Sequence, residues 1–223
     1  MCFSATASFT LSGVLGITGA ASIARTTAPD ARLFAAIPLL FGLQQFAEGI
    51  VWTTMGDPIH VPLHESAVVS FLALALVIWP LWAPLSLWLI EPRGLRRRVL
   101  MSFFILGVII AAIALRLLLQ WEPIAVVTGH SIDYKHATMG FKISEWALLL
   151  VYSLPTVGSF FVSSRTMVRA IGLTLFVSLI LAFLIKREAL TSVWCFFAAV
   201  LSGMILVAVG RMGRVGASTI AFA

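Results

Sequence analysis

Seven apolar stretches occupy most of this chain, and short polar connections separate them. The stretch at residues 100–119 is apolar on all sides, without the alternation typical of a transmembrane β-strand. About 20 helical residues cross the hydrocarbon core of a bilayer. The pattern therefore predicts an all-α fold, a polytopic membrane bundle of seven transmembrane helices that forms one domain over residues 1–223. The predicted crossings are residues 6–24, 33–53, 66–90, 99–120, 145–163, 168–185 and 190–210.

Composition supports this interpretation, because 61% of the residues are hydrophobic and only 11% are charged. A water-soluble domain of this length needs more polar surface. The formal net charge of +6 does not indicate a nucleic-acid partner, since the arginines fall in short loops between apolar segments. The expected partner is the lipid bilayer.

The basic residues of the loops are distributed unequally between the two sides of the predicted membrane. One side has ten, namely Arg25, Arg32, Arg93, Arg96, Arg97, Arg98, Arg165, Arg169, Arg211 and Arg214. The other side has four, namely Lys135, Lys142, Lys186 and Arg187. Because cytoplasmic loops are enriched in Lys and Arg, the C-terminus is predicted to be cytoplasmic and the N-terminus to lie outside.

The third crossing contains two prolines four residues apart, Pro80 and Pro84, each next to aromatic or apolar residues. Each proline removes one helix hydrogen bond, so a kink is expected there. No inverted repeat and no second broken helix at a matching position is apparent. This absence makes a transporter the weaker of the membrane functions considered below.

When each crossing is followed in its predicted direction, the polar residues concentrate toward the outer face. They are Cys2, Glu48, His64, Arg116, Tyr152, Ser153 and Cys195 in or beside the crossings, and His130, Asp133, Tyr134 and His136 in the connection between the fourth and fifth crossings. That connection is expected to be an external loop that folds back over the mouth of the bundle. The outer face is therefore where a functional site is expected.

Glu48 is the main candidate, because an ionisable residue inside a crossing is costly and normally faces the bundle interior. Gln44, Gln45 and Trp52 lie three or four residues away, so helical spacing gathers them with Glu48 along one stripe. Two interpretations stand side by side. Glu48 is either protonated or paired with Arg116 and joins two helices, or it is a ligand, proton carrier or general base.

Histidines and cysteines offer further candidate chemistry. His60 and His64 have the spacing of a metal-binding pair, but Pro62 indicates that the helix only begins there, with His60 in the loop. Cys2 and Cys195 are the only cysteines. They form a disulfide near an oxidising compartment, or bind a metal together with imidazole and carboxylate groups, or are inert packing residues.

Several motifs resemble an uncharacterised family of bacterial multi-pass membrane proteins, a domain of unknown function. The resemblance rests on the N-terminal run MCFSATASF and on SVWCFFAA near the C-terminus, and it covers nearly the whole chain. It implies a location in the bacterial inner membrane. Its pattern also includes Cys2, Glu48, His130 and Cys195, but it implies no reaction.

The leading hypothesis is an outward-facing site that binds zinc or copper through Cys2, His130 and Cys195. Glu48 would be a further ligand or the base that activates bound water in a hydrolase. The expected substrate is a lipid or another molecule that partitions into the membrane. The alternatives are a proton- or cation-coupled transporter or channel for a small solute that uses Glu48, and a thiol/disulfide redox protein that uses Cys2 and Cys195.

Overall fold

A computed structural model describes residues 4–120, 123–128, 131–135, 145–185 and 197–220 of the chain. Helices dominate the described part. They are α1 (Ala5–Ala24), α2 (Arg32–Ala35), α3 (Ile37–Thr54), α4 (Val61–Leu72), α5 (Trp79–Ile90), α6 (Leu95–Gln120), α7 (Glu145–Ser153), α8 (Ser159–Val162), α9 (Thr166–Ile185) and α10 (Ala198–Ile220). A 3₁₀ turn, Pro29–Ala31, precedes α2.

Four helical segments of the described chain are long and apolar enough to cross a membrane: Ala5–Ala24, Pro29–Thr54, Val61–Ile90 and Leu95–Gln120. Three shorter apolar helices follow, at Ala147–Val162, Thr166–Ala182 and Ala198–Met212. Every predicted crossing thus coincides at least partly with a helix. Part of the seventh, residues 190–196, lies outside the described residues.

Helices α1 and α3 pack side by side and run in opposite directions. On α1 and α3, Phe9 lies against Gly49, and Gly19 lies against Leu39. A Cβ atom on Gly19 would be 2.6 Å from the Leu39 backbone nitrogen, so the two backbones touch. Small residues allow this close approach between helices that share an apolar surrounding.

Where a kink was expected in the third crossing, a π-helical turn, Ala73–Ile78, joins α4 to α5 and ends two residues before Pro80. A second π-helical turn, Leu154–Gly158, joins α7 to α8 and contains Pro155. The sequence analysis had singled out only the third crossing, so it missed this second interruption. The second interruption follows the same rule, because proline withholds the N–H that regular helix pairing requires.

A β-hairpin that the all-α prediction missed follows α6. Strands β1 (Ile124–Thr128) and β2 (Ser131–Lys135) are antiparallel, with Thr128 opposite Ser131 and Ala125 opposite Tyr134. The sequence signal was present, since a β-branched run before a two-residue connection with glycine is typical of a hairpin.

The described residues form two apolar clusters. The larger one joins α2, α5, α8, α9 and α10, with fully buried Phe34, Leu87 and Ile171 among its members. The smaller one joins α3, α4 and the hairpin. We call the end of the molecule with the hairpin and the α3–α4 turn the hairpin end. The opposite end, with the α5–α6 and α8–α9 turns, is the arginine end.

Candidate functional site

Glu48 is completely buried in the half of α3 nearer the hairpin end. Its Oε2 accepts a hydrogen bond from Gln45 Nε2 at 3.2 Å, and Gln45 is also fully buried. A carboxyl group in an apolar bundle is stable only when polar groups surround it, so this pair forms the polar centre of the hairpin end. The prediction that Glu48 faces the bundle interior is confirmed.

The polar stripe of α3 divides between two sets of partners. Gln44 is 1% exposed, and its Oε1 accepts a hydrogen bond of 2.7 Å from Trp79 Nε1 on α5, whereas Gln45 bonds to Glu48. Trp52 packs against the smaller apolar cluster, and its buried indole N–H has no partner among the described residues. Helical spacing correctly grouped these residues, but the direction of each side chain depends on the neighbouring helices.

A cavity of about 50 Å³ lies among the helices, and its lining includes Gln44, one turn of α3 before Glu48. Ile37, Phe41 and Gln44 line it, and Glu48 is the next residue of the same helical stripe. The remaining lining residues come from both π-helical segments, from α5 and from α7 to α10; they are Ala75, Trp79, Ala83, Tyr152, Thr156, Phe160, Ile171, Leu175, Leu201 and Ile205. The α3 stripe therefore connects the buried carboxyl group to an internal space.

The two interrupted helices are bonded to each other beside this cavity. Tyr152 Oη donates a hydrogen bond of 2.5 Å to the carbonyl oxygen of Ala75. The N–H of Trp79 bonds to Leu74, and the next residue, Pro80, has no N–H, so regular helix pairing provides no donor for Ala75. The tyrosine hydroxyl replaces the missing backbone donor.

The hairpin folds back onto the bundle, as the sequence predicted for this connection. The ring of Tyr134 stacks on Phe71 of α4 with 4.5 Å between centroids, and Ile132 is fully buried against the same cluster. Thr128 and Ser131 are opposite each other at the end of the two strands, on either side of Gly129 and His130 in the sequence. The hairpin is thus attached to the end of the bundle that contains Glu48.

His60 and His64 do not act as a pair. His60 precedes α4, as predicted, and its Nδ1 lies 2.8 Å from Asp57 Oδ2. His64 Nδ1 lies 2.9 Å from Thr54 Oγ1, whose hydroxyl is also 2.7 Å from the Ile50 carbonyl oxygen. The hydrogen bond from His60, followed by one from the Ile59 backbone N–H, lowers the pKa of Asp57.

The proposed pairing of Glu48 with Arg116 was wrong. Arg116 lies on an exposed side of α6, and no ion pair between the two residues exists in the described structure. Only 11% of the most apolar window of α6 is buried, so this helix lies at the edge of the bundle. The sequence could not show this, because the rotation of a uniformly apolar helix is set by its packing.

The three predicted metal ligands, Cys2, His130 and Cys195, lie outside the described residues. The described residues alone contain no group of three His, Cys, Asp or Glu side chains that could hold a metal ion. His136, another residue of the predicted outer loop, is also outside the described part.

Glu91, at the arginine end, is a buried polar residue that the sequence analysis did not single out. It is 2% exposed, and its carboxylate accepts hydrogen bonds from Ser163 Oγ at 2.9 Å and from the Ser164 backbone N–H at 2.8 Å. It thereby joins the α5–α6 turn to the start of α9. The sequence feature that could have identified Glu91 is its position as a single acidic residue just before a run of arginines.

These features define a class, namely helical proteins with several membrane-length apolar helices and a buried polar centre near one end. The chain belongs to DUF6629, a family of unknown function, whose pattern matches residues 1–219. This confirms the resemblance to an uncharacterised family. No solved structure matches the chain.

Proposed function

We propose that this protein is a seven-helix protein of the bacterial inner membrane, with its N-terminus outside and its C-terminus in the cytoplasm. Four helices of sufficient length and three shorter apolar helices support the crossings. The turns at Gly94 and Ser164, which carry many of the arginines, are in contact through Glu91, which supports a common arginine face. By the distribution of basic residues this face is cytoplasmic, and the hairpin end faces outward.

The polar centre at the hairpin end is proposed to bind zinc or copper through Cys2, His130 and Cys195. The observation that carries this proposal is the fully buried Glu48 at the end to which the hairpin is attached. The helices α1 and α10, which follow Cys2 and Cys195 in sequence, are in contact with each other and with α3. Two thiolates, an imidazole and a carboxylate form a donor set suited to these metals.

The reaction that suits this site is hydrolysis of a lipid or another membrane-partitioned substrate. Bound zinc would supply an activated water molecule. Glu48, held by Gln45, would act as a ligand or as the base that takes the proton from this water. Burial in an apolar bundle would exclude bulk water from the reacting centre.

Metal analysis of the purified full-length protein tests this proposal. We expect about one zinc or copper ion per chain. Cys2→Ser, His130→Asn and Cys195→Ser should each lose it, whereas His60→Asn, which removes a histidine bonded to Asp57, should retain it. Metal-free wild-type protein, or three variants that keep the metal, would contradict the site. Reversible thiol titration of metal-free protein would instead favour the redox function.

Glu48→Gln separates the roles of the carboxyl group. Loss of metal assigns Glu48 as a ligand, and retained metal with loss of lipid hydrolysis assigns it as the base. Gln45→Leu is the comparison variant, because it removes the hydrogen-bond donor and leaves the carboxyl group in place. A Glu48→Gln variant with normal metal content and normal hydrolysis would refute both roles.

Transport is the second candidate, and the two π-helical segments favour it. Ala73–Ile78 and Leu154–Gly158 both border the cavity, and discontinuous helices around a central space are typical of transporters. Proteoliposomes loaded with pyranine measure proton flux under an imposed pH gradient. Flux that disappears in Glu48→Gln supports transport, and equal flux in wild type and variant excludes Glu48 as the proton carrier.

A further inference from the structure

A surface groove between α5 and α6 has a volume of about 510 Å³ and an entirely apolar lining of side chains. Its residues are Val77, Ile78, Leu81, Trp82, Leu85, Phe104, Val108, Ala111, Ala112 and Leu115. Both walls belong to segments that are long and apolar enough to cross a membrane. Within a membrane, the groove can be filled only by lipid acyl chains or by another apolar surface.

A positive charge lies in line with the groove, toward the arginine end. Arg97 lies two helical turns before Phe104 on the same face of α6, and Trp88 lies about one turn after Leu85 on α5. The guanidinium carbon of Arg97 is 4.2 Å from the centre of the Trp88 ring. The tryptophan and the arginine therefore lie beyond the lining residues of the groove, on the same two helix faces and toward the arginine end.

The backbone fixes the position of this arginine. Arg97 Nη1 donates to the carbonyl oxygen of Glu91 at 3.4 Å, in the turn between the two helices. The Glu91 carboxylate is directed toward Ser163 and Ser164 and accepts their hydrogen bonds rather than one from Arg97. The described structure contains no ion pair to Arg97. The nearby Arg93, Arg96 and Arg98 are exposed, whereas Arg97 is half-buried against Trp88.

From this arrangement we infer that the α5–α6 groove is a binding site for an anionic phospholipid. One acyl chain lies along the apolar groove, and the phosphate and its negative headgroup lie at Arg97 beside Trp88. The occupant follows from the combination of an apolar groove and a cation at its end, because a basic pocket at the end of membrane helices suits anionic lipid headgroups. This inference requires insertion of α5 and α6 in the membrane and is independent of the metal site.

Native mass spectrometry of the full-length protein in detergent, titrated with lipid, tests this site. The two probes are dioleoyl phosphatidylglycerol and dioleoyl phosphatidylethanolamine, which share their acyl chains and differ in net charge. One arginine near the surface contributes about 1 kcal/mol toward an anionic lipid, which corresponds to about fivefold tighter binding of phosphatidylglycerol. Arg97→Gln should abolish this preference. Arg97→Lys should keep most of it, and Arg98→Gln, at an adjacent exposed position, should leave it unchanged.

Variants of the groove separate acyl-chain binding from headgroup binding. Ala112 is an exposed lining residue, so Ala112→Phe should fill the groove and weaken both lipids equally without disturbing the core. Ile113→Phe changes a neighbouring residue that is 57% exposed and does not line the groove, and it should have no effect. An undiminished preference in Arg97→Gln would overturn the inference. Normal lipid binding in Ala112→Phe would overturn it as well. A wild-type dimer that dissociates in Ala112→Phe would also overturn it, because a second copy of the chain would then cover this face.

Discussion

Among the glycines of the described part of the chain, Gly107 has the least room for a side chain. A Cβ atom at Gly107 would lie 1.9 Å from the carbonyl oxygen of Pro80 on α5. That oxygen faces α6 because Pro84, four residues later, has no N–H to bond with it. The contact between α5 and α6 thus depends on the absence of one methyl group.

The expected effect of Gly107→Ala follows from this distance. Ordinary contacts of a Cβ atom begin at 3.4 Å, so the helices must separate by more than 1 Å or α5 must bend further. Overpacking costs about 1–3 kcal/mol, and a rigid backbone obstacle belongs at the upper end of that range. Replacing a helical glycine by alanine recovers up to about 1 kcal/mol. The net loss is therefore about 2 kcal/mol, or roughly 4–8 °C in melting temperature for a chain of this size.

Thermal unfolding of purified protein in detergent measures this loss. Gly203→Ala on α10 is the matched control, since a Cβ atom there meets nothing within 4 Å. The control should melt at the wild-type temperature or slightly above it. If Gly107→Ala also melts at or above the wild-type temperature, the close contact between Pro80 and Gly107 does not exist in the protein.

Two further substitutions test other contacts. Tyr152→Phe removes the donor to the Ala75 carbonyl and should cost about 1–3 kcal/mol in thermal unfolding, because a buried acceptor loses its partner. Ser153→Ala, which removes only a bond within one helix, is its control, and equal losses would contradict the link between the π-helical segments. His60→Gln should raise the pKa of Asp57 toward 3.8, as measured by carboxyl ¹³C NMR. Since the pKa of Asp57 is lowered in the folded state, this pair stabilises the fold above pH 3.8, and its contribution is lost as the pH falls through the pKa of the folded state. An unchanged Asp57 pKa in His60→Gln would exclude His60 as the cause.

The sequence by itself determined the helical segments and the burial of Glu48. Apolar length is a property of consecutive residues, and so is the effect of Pro80 on its own helix. A carboxyl group within such a segment has to face the interior, whatever the arrangement of the other helices. These conclusions required no knowledge of contacts between distant residues.

Only the tertiary structure decided which residues meet. The separation of Gln44 from Gln45 follows from the helices that flank α3, and the exposed position of Arg116 follows from the peripheral packing of α6. The bond from Tyr152 to Ala75 and the placement of Arg97 on Trp88 depend in the same way on rotation and crossing of neighbouring helices. Uniformly apolar helices carry little periodic signal for that rotation, so packing between small residues and bonds between buried polar groups determine it.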